Sequence, residues 1–451
     1  MKFLKVIRAV AGALCWAGLS GCSGYQPAPL SFNFPLKSSA YMLKHTLPDG
    51  TKLSLTAPVS LTTLGALAIL NNPDLIAVRA QHGIAQAELF TAGLLPDPTI
   101  SGGFAALVSG PGSIPAISGA LSEDISALIT YSVNRRAAKA GLAQVDAQIL
   151  WQEWQTAGQA EALSIAINAG DQTIASLRAD QLTLSNINRA TTAQLASHNL
   201  TIAAASASAS ALAANQMALN SAIQTREDTQ DQLDALLGLQ PGIALPVTLP
   251  MLPALQPAAA EHIIKTLPEH RPDLIALRYG YAQADDKLRA AILAQFLPIS
   301  LGGSAGRDTS NVWSAGPQLS LTLPLFNRNR GGIASAKATR QQLAAQFQAS
   351  LAAAEGGAEA LLAKIPHLAA ESTAATAAAA SARDMAKQSN AAFNNGTLDA
   401  VSAANLTTAA SERAREAITL SAQLMTARLA LDTLLGAGLP AANLSDLEAM
   451  P

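Results

Sequence analysis

From Gln318 to Leu325 the chain alternates strictly. Leu319, Leu321, Leu323 and Leu325 are separated by Gln318, Ser320, Thr322 and Pro324. A period of two predicts a strand with one apolar face and one small, mostly polar face. Just before it, Ile299, Leu301, Gly303 and Ala305 alternate with Ser300, Gly302, Ser304 and Gly306, so the two runs read as a hairpin around a polar loop at Arg307 to Asn311. The first half carries a weaker version, with one strand through Ile100, Gly102 and Phe104 and another from Ile117 to Ile129. There Glu123 breaks the apolar parity, and Gly110-Pro111-Gly112 and Pro115 lie in the loop between. Trp313, near the loop end, suits an aqueous–apolar boundary.

Elsewhere the period is helical. Leu163, Ile167, Ile174, Leu177 and Leu184 are spaced as in heptads, and so are Leu420, Leu424, Ala427, Leu431 and Leu434. Four long helices are expected, over about 134–187, 198–238, 331–391 and 398–436, forming coiled-coil-like seams, with a kink at Pro366. A short helix should start near Leu61, break at Asn71-Asn72-Pro73 and resume to about Gly93, with Asn72 as N-cap. The prolines between Gly238 and Pro257 predict an extended connector.

These elements come in two copies. Asn72-Pro73-Asp74-Leu75-Ile76-Ala77-Val78-Arg79 returns as Arg271-Pro272-Asp273-Leu274-Ile275-Ala276-Leu277-Arg278, offset by 199 residues. Asp234-Ala235-Leu236-Leu237-Gly238 returns as Asp432-Thr433-Leu434-Leu435-Gly436, offset by 198. Each copy of about 200 residues reads as short helix, β-hairpin, long helical hairpin. The repeated phrase is a helix start with no chemistry of its own. The expected boundaries are 61–238 for the first repeat, 239–260 for the Pro-rich connector, 261–438 for the second repeat and 439–451 for a C-terminal tail. The fold class is mainly α with a small β part.

The N-terminus is a targeting segment. Lys2, Lys5 and Arg8 precede an apolar run from Ala9 to Leu19, which ends in Leu19-Ser20-Gly21-Cys22. This matches a bacterial lipoprotein signal over 1–21, with lipidation at Cys22; a plain signal peptide is the other reading. Residues 22–60 then form an extended segment. With Cys15 removed, no disulfide is possible. No other stretch is long and apolar enough for a transmembrane helix, so a mature chain that crosses a membrane must do so as a closed barrel. Two hairpins supply four strands, whereas a barrel needs about eight or more. Subunits must therefore pool strands.

In order, these motifs resemble the outer-membrane efflux protein family, the TolC-like channels. They are the twice-used Pro-Asp-Leu helix start, Gly93-Leu94-Leu95-Pro96-Asp97-Pro98, Gly316-Pro317-Gln318-Leu319-Ser320-Leu321 through Pro324-Leu325-Phe326, and Asn395-Gly396-Thr397-Leu398. The resemblance covers about residues 60–438. It implies a homotrimer whose twelve strands form an outer-membrane barrel and whose helices form a periplasmic α-barrel. It further implies a passive exit duct that meets a periplasmic adaptor (membrane fusion) protein and an inner-membrane efflux pump. Ser23 after the cysteine favours the bacterial outer membrane by the same resemblance. The join Leu323 to Gly332 is similar to that of heavy-metal-efflux members, but related joins occur in drug-efflux members, which leaves the cargo open.

The resemblance also places the sites. Asn395, Gly396, Thr397, Leu398 and Asp399 form an adaptor-contact tip, matched in the first half by Asn188 to Leu195, including Arg189 and Thr191, without the family's glycine. Where many members carry gating aspartates, this chain has Ser402 and Asn405, so the candidate constriction is neutral. Leu319, Leu321, Leu323 and Leu325 are the lipid-facing strand.

Composition narrows the alternatives. Net charge is -2 and only 13% of residues are charged, so the overall charge points neither to nucleic acid nor to an anionic membrane surface. His45, His82, His198, His262, His270 and His367 show no i, i+4 pairing, so no metal site or cofactor is expected. No phosphate-binding loop appears, and no nucleophile is read in a Gly-x-Ser-x-Gly turn, so no enzyme is expected. The competing reading is a non-conducting envelope lipoprotein acting as a helical spacer.

Overall fold

A computed structural model describes residues 25–32, 35–55, 58–106, 108–109, 114–249, 256–296 and 299–436. The signal segment, Cys22, the loop at Gly110-Pro111-Gly112 and the C-terminal tail beyond 436 lie outside the described residues. The chain divides after Leu36 into two units, and the elements that follow belong to the unit that starts at Lys37.

It begins with a 3-10 turn, Ala40–Met42, and a two-residue strand β1, Val59–Ser60. Helices α1 (Leu61–Asn71) and α2 (Pro73–Ala92) follow, then strands β2 (Thr99–Ala105) and β3 (Ala116–Asp124). Helix α3 (Ile125–Ala196) and helix α4 (Ile202–Leu237) complete the first half. The connector supplies β4 (Val247–Thr248), parallel to β1. The second half repeats the order: α5 (Pro257–Lys265), α6 (Leu267–His270), α7 (Pro272–Leu293), β5 (Ile299–Arg307), β6 (Trp313–Leu321), α8 (Arg330–Asn394) and α9 (Ala400–Leu435).

Several boundaries differ from expectation. The strand expected to reach Ile129 ends at Asp124, whose carboxylate accepts from the Ser126 amide and starts α3. Glu123 is thus the penultimate residue of β3 and stays on the apolar face, opposite Leu301. Leu323 and Leu325 lie beyond the end of β6 and are not strand residues: the ladder stops at Leu321, opposite Ile299, the first residue of β5. The connector becomes helical at Pro257, which suits a first helical turn. Helix α8 runs without interruption across Pro366.

The repeated phrase does more than start a helix. Asn72 Oδ1 accepts from the Leu75 amide, while its Nδ2 donates to the Leu236 carbonyl at 3.0 Å. Its counterpart Arg271 donates to the Leu434 carbonyl at 3.4 Å, pairs with Asp273 and stacks over Trp151. At the other end of the phrase, Arg79 donates to the Ile69 carbonyl and Arg278 to the Pro268 carbonyl. Both copies thus tie their helix start to the last turn of the long hairpin and to the end of the preceding short helix.

The cores are duplicated too. Ala160, Leu233 and Leu237 are buried in the first-half core with Leu64 and Leu67. Their partners 198 residues on, Ala358, Leu431 and Leu435, are buried in the second with Leu267 and Leu274. The heptad positions Ile174, Leu177 and Leu184 are buried, as are Ala427 and Leu431. Helix α3 packs on both α4 and α9, which joins the halves laterally.

Candidate functional site

Two regions can act on something outside the protomer: the sheet, and the turns at the far ends of the long helices. Helix α3 has 72 residues and α8 has 65, so at 1.5 Å per residue each spans about 100 Å between them.

The four main strands form one antiparallel sheet in the order β2-β3-β5-β6. The hairpins meet at β3 and β5, through pairs such as Leu121 with Gly303 and Ile117 with Arg307. Opposed residues share a face. One face therefore carries Ile100, Phe104, Ile117, Leu121, Ile299, Leu301, Trp313, Leu319 and Leu321, with Glu123 and Arg307 near opposite ends. The other carries Thr99, Ser101, Ser118, Ser122, Ser300, Ser304, Gln318 and Ser320, interspersed with Gly103, Gly302, Gly306 and Gly316.

Neither face is covered by a packed layer. Every residue of β2 and β6 is exposed, and Ile100, Phe104, Trp313 and Leu319 are among the exposed large side chains. A two-sided sheet of this kind normally buries its apolar face on a core. The outer edges of β2 and β6 also lack strand partners among the described residues. Gly302 fixes the close approach of β3 and β5: a Cβ there would lie 2.2 Å from the Leu121 carbonyl oxygen. The run Gly302-Gly303-Ser304-Ala305-Gly306 does spell Gly-x-Ser-x-Gly, contrary to the sequence reading, but it lies within β5 rather than at a strand-to-helix turn.

At the other end, α8 closes at Asn395 and Gly396 adopts φ 74. The Gly396 amide donates to the Phe393 carbonyl and the Thr397 amide to the Ala392 carbonyl, a Schellman-type closure. Asp399 then caps α9, accepting from the Ser402 amide at 2.9 Å and its hydroxyl at 2.7 Å. These bonds, the hydroxyl first, hold the Asp399 carboxyl below its ordinary value. Ser402 is thus a half-buried capping partner, whereas Asn405 is exposed.

The first-half tip is not where the sequence reading put it. Arg189 is exposed on the side of α3, with Nη1 3.4 Å from Asn186 Oδ1. Thr191 is fully buried, its hydroxyl 2.7 Å from that of Ser208 on α4, so it cannot meet a partner. The actual turn is Ser197-His198-Asn199-Leu200-Thr201, with His198 at φ 59. The closing echo's 198-residue offset, applied back from Gly396, lands on His198 and would have located it. Beneath the two turns, Leu184 and Ile187 pack with Ala400, Ala403 and Ala404.

Among the described residues no cluster of three His, Cys, Asp or Glu side chains could hold a metal ion, and no single helix is long and apolar enough to cross a membrane. His82 pairs with Asp146 at 2.6 Å on the helix surface.

Residues 263–437 match the family described as outer membrane efflux protein. No curated protein sequence matches the chain. Among solved structures, a membrane protein from Pseudomonas aeruginosa aligns with a TM-score of 0.72 at 19% identity, covering 93% of this chain and 98% of that one. The CmeC outer membrane channel of Campylobacter jejuni gives 0.70 at 16% identity, covering 95% and 98%. The outer membrane protein VceC of Vibrio cholerae gives 0.66 at 19% identity, covering 84% and 97%. The fold is thus shared along both halves, and the fold implied by the resemblance drawn from the sequence is borne out.

Proposed function

We propose, for a chain that is TolC-like in fold and matches the outer membrane efflux protein family over residues 263–437, that it is the outer-membrane exit duct of a tripartite efflux system. The observation that carries this is the uncovered sheet, with one apolar face, one face of Ser, Thr, Gln and Gly, and two open edges. In water such a sheet would expose both its greasy face and its edges. In a bilayer the apolar face meets lipid and the small polar face lines a water-filled lumen.

Four strands of seven to nine residues are too few to close. Pairing the β6 edge of one copy with the β2 edge of the next would give a homotrimer and twelve strands. Helices α3, α4, α8 and α9 of each copy would then carry the lumen into the periplasm. The resemblance implies a passive duct, and the chain carries no phosphate-binding loop that would argue otherwise. Energy would come from an inner-membrane pump, joined through an adaptor that grips the helical turns. On this reading the contact set is Asn395 to Asp399 together with Ser197 to Thr201, with Arg189 beside it and Thr191 excluded by burial. Cys22 would add a lipid anchor. The candidate cargoes are metal cations or organic drugs.

The spacer alternative is disfavoured by the same sheet, since a spacer needs no lipid-facing strand. The test is purification in detergent followed by planar-bilayer recording. The duct reading expects a heat-modifiable, trimer-sized species with discrete conductance steps. A monomer that can be washed from membranes and does not conduct would overturn it.

A further inference from the structure

The two halves part company where the second strand of each hairpin becomes a helix. Strand β6 follows β3 at an offset of 197 residues along its whole length. In the first half the next residues, from Ile125, are already the first turns of α3. At the same offset, 322–328 are not helical, and α8 begins only at Arg330. Pro324 explains the start of the interruption. Its end is held by two successive left-handed residues, Arg328 at φ 47 and Asn329 at φ 51. Asn329 Nδ2 anchors the segment to the Ala291 carbonyl of α7 at 2.8 Å.

This join presents an unusual set of side chains. Leu323 and Leu325 are exposed and Phe326 is 93% exposed. Arg328 and Arg330 are exposed, and neither guanidinium has a hydrogen-bond or ion-pair partner among the described residues. No Asp or Glu occurs from Thr322 to Gly332. The segment continues directly from the apolar sheet face at Leu319 and Leu321.

We infer that the Leu323–Arg330 join is a lipid foot: Leu325 and Phe326 enter the periplasmic leaflet, while Arg328 and Arg330 bind the phosphates of anionic phospholipid headgroups. The inference rests on the proposed barrel, which puts this end of the strands at the periplasmic surface of the outer membrane. Aromatic and aliphatic side chains beside cationic ones match the chemistry of that boundary. Planar guanidinium groups pair well with phosphate oxygens. A second copy fits less well, because two unpaired cations in an acid-free segment call for an anionic partner.

The test uses full-length protein in vesicles of phosphatidylethanolamine and phosphatidylglycerol. Nitroxide labels are placed at Phe326→Cys and, as a strand control, at Leu319→Cys, and collision with oxygen is compared with collision with a water-soluble nickel complex. Both labels should favour oxygen, with the label at 326 shallower. In parallel, the Arg328→Gln, Arg330→Gln double variant should retain several-fold less phosphatidylglycerol through detergent purification, with phosphatidylethanolamine unchanged. Millimolar inorganic phosphate should not displace the lipid from the parent protein. A lipid-exposed label at 319 with a water-exposed or protein-covered label at 326 overturns the foot and leaves the barrel. Equal phosphatidylglycerol retention by the double variant, or displacement by inorganic phosphate, also overturns it. A water-exposed label at 319 removes the barrel reading and the foot with it.

Discussion

His198 stands in the first half where Gly396 stands in the second. They are 198 residues apart, both left-handed, at φ 59 and φ 74. Each amide donates three residues back, to Leu195 and Phe393. The next amide reaches five residues back, from Asn199 to Gln194 and from Thr397 to Ala392. One closure is therefore built twice, once with the residue that favours it and once without.

A side chain in the left-handed region costs about 1–2 kcal/mol. His198→Gly should relieve that strain and leave stability unchanged or raised by up to about 1 kcal/mol, after the added chain entropy is counted. Gly396→Ala should lower it by about 1 kcal/mol. Denaturant unfolding of the detergent-solubilised protein distinguishes them. Equal losses from both changes would mean the turns are not equivalent.

Gly302→Val places side-chain atoms against the Leu121 carbonyl and Ser122, across the contact that joins the two hairpins. The strands should fail to pair, and the yield of membrane-inserted, heat-modifiable protein should fall at least severalfold. Gly316→Ala, on β6 where a Cβ meets nothing within 4 Å, should be tolerated. Normal insertion of the Gly302 variant would rule out this packing.

Asn72 caps α2 and ties it to the last turn of α4. Asn72→Ala loses both bonds, at about 1–2 kcal/mol. Asn72→Asp keeps the cap acceptor but cannot donate to Leu236, so it should recover part of the loss. The check is the unfolding midpoint of the three proteins; identical midpoints would remove the tie from the account.

Glu161 of α3 lies against Gly65 and faces Asp432 of α9, with Arg428 acting on Asp432. Burial, and then the Asp432 charge, push its carboxyl from 4.5 up to about 7. Between those values the folded state holds more proton than the unfolded chain, so stability falls as pH rises through that window and levels off above it. Glu161→Gln removes the dependence. At pH 8 the variant should be more stable by about 1–2 kcal/mol, a figure discounted for partial exposure, and the two should converge below the unfolded value of 4.5. Parallel pH profiles for variant and parent would refute the assignment.

Asn405 is exposed one turn inside α9, and Asp399 is the acid beside it at the tip. On the duct reading, the parent channel should show weak block by trivalent cations, and Asn405→Asp should strengthen it at least tenfold in single-channel recordings. Strong block of the parent would place acidic groups at the constriction and overturn the neutral tip.

The elements legible in the sequence were those set by neighbours a few residues away. Asn72-Pro73 announces a helix start because cap and first-turn chemistry are local. Leu177 and Leu184 announce a seam because helical spacing is local, and the alternation from Ile299 announces a strand for the same reason. The doubled phrase and the closing echo fixed the two-fold order, and the four-strand count pointed to pooled strands.

What the sequence left open depended on distant partners. The first-half turn was misplaced because Asn188 to Leu195 looks turn-like by composition, yet Thr191 is sealed against Ser208, and the turn falls on a histidine that no turn preference marks. Leu323 and Leu325 continued the alternation, but the ladder stops at Leu321, opposite the first residue of β5, and the left-handed pair at Arg328 and Asn329 precedes the helix. The repeated phrase looked like a helix start alone until Asn72 and Arg271 met carbonyls more than 160 residues away. The pairing of β3 with β5, which merges two hairpins into one sheet, is likewise a contact between halves. Local rules wrote the parts and their number. Which parts meet was decided by packing over long separations, where burial and backbone hydrogen bonding must be satisfied together.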